Sequence, residues 1–226
     1  MSQVQTEETP TTKAATVFIV DDDPSMRDSL RWLIESVGLN VEPFSNADAF
    51  LEEFSGDAPG CLVLDVRMPG TSGMELLDML KGRGVKLPII MISGHGDVPM
   101  AVQALKRGAI DFLEKPFRDQ ELLEQISRAI EVDEERRSQA ASVAGIRGRL
   151  EKLTPREREV MELVVDGYAN KQVAAKLGLS EKTIEVHRSR VMSKMRARTL
   201  PCLVKMAVAV GVAEATDCAE QDTSTV

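Results

Sequence analysis

The chain has 226 residues and a formal net charge of −8, and this charge is distributed unevenly. Residues 16–130 hold 11 lysines and arginines against 19 acids, whereas residues 149–214 hold 13 against 8. The length suits two domains of ordinary size. Because an acidic segment repels phosphate and a basic segment attracts it, only the C-terminal half is expected to bind nucleic acid.

The cysteines and the ends of the chain indicate the cellular compartment. Cys61, Cys202 and Cys218 are widely spaced and have no neighbouring metal ligands, so we expect reduced cytosolic thiols. The N-terminus lacks the basic start and apolar stretch of a signal peptide, and no apolar run is long enough to span a bilayer. We therefore predict a soluble cytoplasmic protein with no membrane partner and with disordered ends at residues 1–15 and 215–226.

In residues 16–130, short apolar runs alternate with segments of helical periodicity. The predicted strands are Val17–Val20, Val41–Phe44, Cys61–Leu64, Ile89–Ile92 and Ile110–Leu113. The predicted helices are residues 24–37, Ala47–Phe54, Met74–Lys81, Val98–Arg107 and Gln120–Val132. Five strands alternating with five helices predict a doubly wound α/β domain with a five-stranded parallel sheet.

Residues 131–148 are charged and then rich in alanine and serine, and we interpret them as a linker helix that prolongs the last helix of the first domain. Beyond them no strand pattern occurs. Thr154 and Glu157 have the spacing of a capping box at the start of a first helix. Asn170 is predicted to cap a second helix and Ser180 a third. With a fourth helix at Leu200–Val210, residues 149–214 are predicted to form an all-α domain.

Several polar residues follow directly after predicted strands. They are Asp21, Asp22, Asp65, Ser93 and Lys115. Because the carboxyl ends of parallel strands meet at one edge of the sheet, we expect these side chains to converge there. Any one of them alone is more often a solvated turn residue or a surface lysine. Their joint spacing favours a site.

The three aspartates of this site would repel one another unless a cation lay between them. Mg²⁺ fits, because it prefers oxygen ligands and works with few carboxylates plus phosphate and water. A carboxylate held against Mg²⁺ can attack phosphorus and form an aspartyl phosphate. Lys115 could neutralise the incoming phosphoryl oxygens, and the Ser93 hydroxyl could turn toward them.

The motifs VDDD, LDVRMPG and ISGHGDVPMAVQALKRGAIDFLEKPF resemble a bacterial response-regulator receiver of the FixJ type, across residues 16–130. This resemblance implies a CheY-like or flavodoxin-like fold in which Asp65 is the phosphoacceptor. It implies that Asp21, Asp22, Asp65 and the backbone carbonyl of Arg67 hold Mg²⁺. It further implies that Ser93 and Phe112 are switch residues, that Lys115 binds phosphate and that the Lys115-Pro116 bond is cis. Phe112 also fits a plain core role, and His95 is assigned no role.

The third helix of the C-terminal half has a buried stripe and a polar face. On a helical wheel, Ile184, Val191 and Met195 share one face. The opposite arc carries Lys182, Glu185, Val186, Ser189 and Ser193, and one flank carries Thr183, His187, Arg190 and Lys194. A short helix with a small polar face and a basic flank suits the major groove of DNA, and the preceding helix gives a helix-turn-helix arrangement.

The segment LTPREREVMELVVDGYANKQVAAKLGLSEKTIEVHRSRVMSKM resembles the LuxR-type DNA-binding domain across residues 149–214. The resemblance implies that Glu185, Val186 and Ser189 face the bases. It implies phosphate contacts for Lys171, Thr183, Arg190 and Lys194. Lys182 lies on the same arc of the helix as Glu185, Val186 and Ser189. Glu185 stands where related proteins often carry a basic residue, and it could accept from cytosine or shape specificity. His187 is expected to pack or to contact phosphate.

Together these features predict a DNA-binding transcriptional regulator, not an enzyme. A sensor histidine kinase would phosphorylate Asp65, and the receivers would then pair so that a homodimer binds promoter DNA and contacts RNA polymerase, most simply as an activator. Residues 98–113 are the expected signalling surface. Two alternatives stay open: an aspartyl-phosphate phosphohydrolase, which would usually carry its nucleophile after the first strand, and a DNA-binding regulator independent of phosphorylation.

Overall fold

The computed structural model describes residues 15–94 and 98–213 of the chain. His95 lies outside these residues, as do residues 1–14 and 214–226, which include nearly all of the predicted disordered ends. The chain divides into two compact units, one ending at Arg137 and the other beginning at Ser138.

The first unit is built on five parallel strands. They are β1 (Thr16–Val20), β2 (Asn40–Phe44), β3 (Gly60–Asp65), β4 (Ile89–Ser93) and β5 (Asp111–Glu114). Their order in the sheet is β2-β1-β3-β4-β5, which confirms the predicted doubly wound α/β fold. The fifth strand begins one residue later than predicted. Ile110 still donates its N–H to the Ile89 carbonyl, but its side chain is exposed.

Helices cover both faces of this sheet. They are α1 (Pro24–Ser36), α2 (Ala47–Glu53), α3 (Gly73–Gly82), α4 (Val98–Arg107) and α5 (Asp119–Leu150). Alternate residues of β1 show why: Val17 and Ile19 point into one core with helix residues of α1 and α5, whereas Phe18 and Val20 point into the other. The α5 helix runs without a break through the whole of the predicted linker into the second unit.

Between residue 138 and residue 213, the second unit contains four further helices, as predicted. They are α6 (Pro155–Val165), α7 (Asn170–Leu177), α8 (Glu181–Met195) and α9 (Leu200–Ala209). The α6 capping box is present, since the Thr154 hydroxyl accepts from the Glu157 N–H and the Glu157 carboxylate accepts from the Thr154 N–H. Ser180 caps α8 in the same way, through the N–H of Thr183.

The prediction that Asn170 caps α7 is wrong. Ala169 is the capping residue, and its N–H donates to the Gln172 side chain. Asn170 is instead the first residue of the helix, and its side-chain oxygen accepts from Arg188 of α8 at 2.9 Å. The asparagine therefore joins two helices instead of closing one.

The core of the second unit is formed by the apolar stripes of its helices. Ile184, Val191 and Met195 are all fully buried, as the helical wheel predicted. Ile146 and Leu150, from the end of α5, belong to the same core. Among the helices of residues 15–94 and 98–213, none combines the length and the apolar character that crossing a bilayer requires.

Candidate phosphoryl site and candidate DNA-reading helix

The carboxyl ends of β1, β3 and β5 bring two acids and one lysine together. Asp21 follows β1, Asp65 ends β3 and Lys115 follows β5. The Lys115 ammonium lies 2.7 Å from Asp21 Oδ2 and 2.8 Å from Asp65 Oδ1. Both carboxylates are buried. The Lys115 ammonium thus joins two acids that lie 94 and 50 residues before it in the chain.

The electrostatics of this group are set by burial and by mutual pairing. Burial raises the pKa of Asp65, the nearby Asp21 adds to the effect, and Lys115 and the Arg67 N–H oppose it. Burial alone would lower the pKa of Lys115, but its hydrogen bonds to Asp21 and Asp65 outweigh burial and raise it. The lysine therefore stays charged while it balances only one of two buried acids. The remaining negative charge favours a second cation at this edge.

The third predicted ligand differs from these two in its exposure to solvent. Asp22 is exposed and lines a cleft with Asn46, Asp48, Glu52 and Gly70. In residues 15–94 and 98–213, no group of three or more acidic, histidine or cysteine side chains is already arranged to hold a metal. Arg67 donates its N–H to Asp65 Oδ2 at 2.8 Å. The atoms predicted to bind the metal are all oxygens, and oxygen ligands fit a hard cation that keeps several waters.

The two predicted switch residues lie on neighbouring strands. Ser93, at the end of β4, is fully buried, and its carbonyl accepts from the Lys115 N–H at 2.7 Å. Phe112 in β5 is half-buried and packs against the core that contains Met91. The Lys115-Pro116 peptide bond is cis, as the resemblance implied.

The α8 helix presents most of its predicted DNA-facing residues to solvent. Lys182, Glu185, Ser189 and Arg190 are exposed, and Val186 is an apolar side chain that is nevertheless 46% exposed. Thr183 is half-buried, and its hydroxyl lies 2.8 Å from that of Ser180. Lys171 is exposed in the first turn of α7. Six of the eight predicted residues are thus exposed, and Thr183 is half-buried.

Lys194 is half-buried as well, and it is paired within its own domain. Its ammonium lies 2.6 Å from Glu157 Oε2 and 3.2 Å from the backbone carbonyl of Lys152. Glu157 is buried, and the Lys194 ammonium and the Thr154 N–H hold the pKa of its carboxyl below its usual range. The lysine that the wheel places on the basic flank therefore pairs with groups of its own domain, although its side chain is 36% exposed.

One buried acid of the first unit was not predicted from the sequence. Asp133, in the segment interpreted as a linker, is fully buried and accepts from Arg136, Arg137 and the Gly60 N–H. A signal was present, because the α5 core stripe of Ile126 and Ala129 continues at helical spacing to position 133. The charge of the residue concealed the stripe.

Comparison with known proteins places both halves of the chain. Residues 17–127 match the response regulator receiver domain family, and residues 151–207 match the family of bacterial regulatory proteins of the luxR type. Nodulation protein W of Bradyrhizobium diazoefficiens is 50% identical over 198 residues, which cover 88% of this chain and 87% of that protein. Transcriptional regulatory protein FixJ of the same species is 46% identical and covers 87% and 96%.

The solved structure of the response regulator StyR shows the same fold, with a TM-score of 0.79, 44% identity and coverage of 86% of this chain and 98% of that one. A parallel five-stranded receiver joined to a LuxR-type helical domain defines a class of transcription factors, not of enzymes. The chain belongs to this class, as a FixJ-type response regulator of a two-component system. The phosphohydrolase alternative is thereby set aside.

Proposed function

We propose that Asp65 is phosphorylated by a sensor histidine kinase and that this modification switches promoter binding by the C-terminal domain. The observation that carries the proposal is the position of Lys115 between the Asp21 and Asp65 carboxylates. A half-buried lysine held there can turn one of its hydrogen bonds from a carboxylate to a phosphoryl oxygen. A receiver implies a kinase partner, and a helix-turn-helix domain implies DNA.

In the phosphoryl transfer, an Asp65 carboxylate oxygen attacks the phosphorus of the donor. The bond from phosphorus to the kinase histidine breaks, and an aspartyl phosphate forms. Receiver domains typically use Mg²⁺; here Asp21, Asp22, Asp65 and the Arg67 carbonyl would hold it, and it would neutralise phosphoryl oxygens. Lys115 exchanges a carboxylate for a phosphoryl oxygen, and Ser93 and Phe112 respond as the switch residues.

For the output domain we propose that Glu185, Val186 and Ser189 face the bases. Lys171, Lys182, Thr183 and Arg190 would contact or approach the phosphates. The domain limits that accompany this function are residues 16–130 for the receiver, 131–148 for the linker helix and 149–214 for the DNA-binding domain. The regulator would act in the cytoplasm as a transcriptional activator in contact with RNA polymerase.

A direct test of the phosphoacceptor is the intact mass of the protein after incubation with a small acyl phosphate and Mg²⁺. We expect the mass to increase by one phosphoryl group, and we expect no increase for Asp65→Ala. Asp57→Ala is the matched control, since Asp57 is another receiver acid but is 86% exposed. Phosphorylation that persists in Asp65→Ala would contradict the assignment.

The proposed homodimer is supported by an apolar stripe on α4. Val98, Val102 and Leu105 share one face of this helix and are exposed, Leu105 by 46%. Exposed apolar side chains grouped in this way mark an interaction surface. Since residues 98–113 also adjoin the phosphoryl site through β5, phosphorylation could change this surface.

Replacing Leu105 with aspartate is expected to weaken dimerisation of the phosphorylated protein by at least about tenfold, because burying a leucine contributes roughly 1.5–3 kcal/mol and a symmetric interface loses it twice. Sedimentation velocity with the acyl phosphate measures this. Trp32→Ser, at an exposed apolar residue of α1, is the control and should dimerise normally. An unchanged dimer in Leu105→Asp would exclude α4 from the interface.

A further inference from the structure

The C-terminal ends of α5 and α8 meet and exchange hydrogen bonds. Arg149 in the last turn of α5 donates from Nη1 to the carbonyl of Met195, the last residue of α8, at 3.1 Å. In the other direction, Lys194 of α8 donates to the carbonyl of Lys152, two residues beyond the end of α5, at 3.2 Å. The last carbonyl of α8 thus receives a cation from α5, and the turn that follows α5 receives one from α8.

Elementary helix physics explains why such an exchange stabilises the junction. The last carbonyls of a helix have no partner within the helix, and the helix dipole leaves partial negative charge there. A cation bound at that end satisfies a carbonyl and complements the dipole. The backbone after α8 turns away immediately, because Arg196 adopts a left-handed conformation with φ 55°. The Met195 carbonyl is therefore a true helix end.

Three further contacts hold the two cations in place. Arg149 Nε donates to the Gly145 carbonyl one turn back in α5, and this contact fixes the guanidinium. The Glu157 carboxylate holds the Lys194 ammonium at 2.6 Å, and the Thr154 N–H in turn holds that carboxylate at 2.8 Å. Beneath these polar contacts, Ile146 and Leu150 of α5 are buried in one core with Val191 and Met195 of α8.

We propose that Arg149 and Lys194 form a clamp that positions the DNA-reading helix α8 against the end of α5. On this account both are positioning residues and neither contacts phosphate. The proposal rests on the DNA-binding function proposed for α8, and it replaces the phosphate contact that the helical wheel assigned to Lys194. On this proposal the end of α5 belongs functionally to the DNA-binding domain, because it positions α8.

The two roles of Lys194 differ in a measurable quantity. Loss of a phosphate contact weakens binding to all sequences and lowers the slope of log affinity against log salt by about one. Loss of a positioning contact leaves the number of phosphates neutralised unchanged, so the slope is retained. It misplaces the base-facing residues, so binding to a preferred sequence weakens more than binding to a random one.

The experiment uses the full chain and two duplexes of equal length, one a genomic fragment selected by the unmodified protein and the other of random sequence. We expect Arg149→Gln and Lys194→Gln each to weaken binding to the selected fragment by about tenfold, the effect of losing one favourable helix-end cation. Binding to the random duplex should change by less than about threefold, and the salt slope should stay constant. The double variant should lose less than the product of the single losses, since both residues act at one junction.

Two variants serve as controls. Arg190→Gln, at an exposed residue proposed to contact phosphate, should weaken binding to both duplexes and lower the slope by about one. Arg149→Lys keeps a cation at the helix end and should recover most of the selected binding. If Arg149 instead bound a phosphate through two guanidinium N–H groups, lysine could not restore that contact. The Arg149→Lys variant therefore distinguishes the clamp from a bidentate phosphate contact.

A slope lowered by about one in Arg149→Gln or Lys194→Gln would overturn the clamp and restore the phosphate contact. Unchanged affinity for both duplexes would overturn it as well. If the unmodified protein selects no fragment, the proposed function itself fails. A measurement without DNA applies even if a variant folds poorly, because it uses the unmodified protein. The Lys194 amine should react more slowly with an acylating reagent than the exposed Lys182 amine. Equal reaction rates would contradict the clamp.

Discussion

Replacing Asp133 with asparagine is expected to lower the free energy of unfolding of the receiver by about 2–4 kcal/mol. The side chain is fully buried and accepts hydrogen bonds from Arg136, from Arg137 at 2.6 Å and from the Gly60 N–H at 3.1 Å. An amide cannot accept all three and would point its own N–H groups at a guanidinium. The loss stays below that of a wholly buried ion pair, because the two arginine side chains are 35% and 27% exposed.

The contacts of Asp133 fix α5 to the start of β3. Arg137 also donates to Asp57 and to the Ala58 carbonyl, so it binds both its own helix and the loop before the strand. Gly60, the first residue of β3, has φ +135°, and a Cβ there would lie 1.8 Å from the Thr16 carbonyl oxygen. The start of β3 therefore lies close against β1 at the point where Asp133 binds it.

Cys61 offers a local measurement of this loss. Its thiol is fully buried next to the Asp133 network, and burial raises its pKa to about 12, with the Asp133 charge adding to the effect. It should react with a thiol reagent only when the receiver opens. In Asp133→Asn the labelling rate should rise roughly 30-fold to 1,000-fold, which is the expected free-energy loss converted at 1.36 kcal/mol per decade.

The effect of Asp133→Asn also depends on pH. Burial would raise the pKa of Asp133, but hydrogen bonds from Arg136, Arg137 and Gly60 lower it overall. A carboxyl with a lowered folded pKa stabilises the fold above its ordinary pKa, near 4, and this stabilisation is lost as the pH falls through the folded value. The difference in stability between the variant and the unmodified protein should therefore begin to shrink as the pH falls below about 4 and should vanish only below the folded pKa of Asp133. Asp57→Asn, at the exposed partner of Arg137, should change the labelling rate by less than about fivefold.

Replacing Gly73 with alanine is expected to disrupt the phosphoryl site by displacing the backbone of Asp65. A Cβ at this position would lie 2.1 Å from the Asp65 carbonyl oxygen and 3.1 Å from Val66 Cα. Gly73 also donates its N–H to the Val66 carbonyl at 3.0 Å, so the start of α3 is held against the end of β3. We expect a stability loss of about 1–3 kcal/mol, typical of overpacking, and at least a tenfold slower phosphorylation by the acyl phosphate.

Gly82→Ala is the matched control, because Gly82 ends the same helix and a Cβ there would meet nothing within 4 Å. It should leave phosphorylation unchanged and could add about 0.5–1 kcal/mol of stability. Intact mass against time and thermal unfolding measure both quantities. Normal phosphorylation in Gly73→Ala would show that the backbone at Asp65 has more freedom than its contacts indicate.

The fold and the convergence of Asp21, Asp65 and Lys115 could be predicted from the sequence because both follow from strand ends. A parallel sheet forces the residues that follow its strands to one edge, whatever their separation along the chain. The cis bond before Pro116 and the switch roles came from the family likeness and not from the residues themselves. The buried stripe of α8 followed from helical periodicity alone.

Other features depend on contacts that the sequence does not encode locally. Helical periodicity places Lys194 on a basic flank, but a buried carboxylate from α6 pairs with its ammonium. Asn170 has the residue type of a cap, yet Arg188 from another helix takes its side chain. Asp22 follows its strand as Asp21 does, but successive residues point in opposite directions, and its side chain is exposed. The outcomes at Lys194 and Asn170 were each decided by a tertiary partner.

The most direct test of the account is the affinity of the purified protein for its selected genomic fragment, measured with and without acyl phosphate plus Mg²⁺. The donor is expected to tighten binding by at least about tenfold through pairing of the receivers, and Asp65→Ala is expected to abolish the tightening. Equal affinities with and without donor, in the unmodified protein and in the variant alike, would contradict phosphorylation control and leave a constitutive DNA-binding regulator.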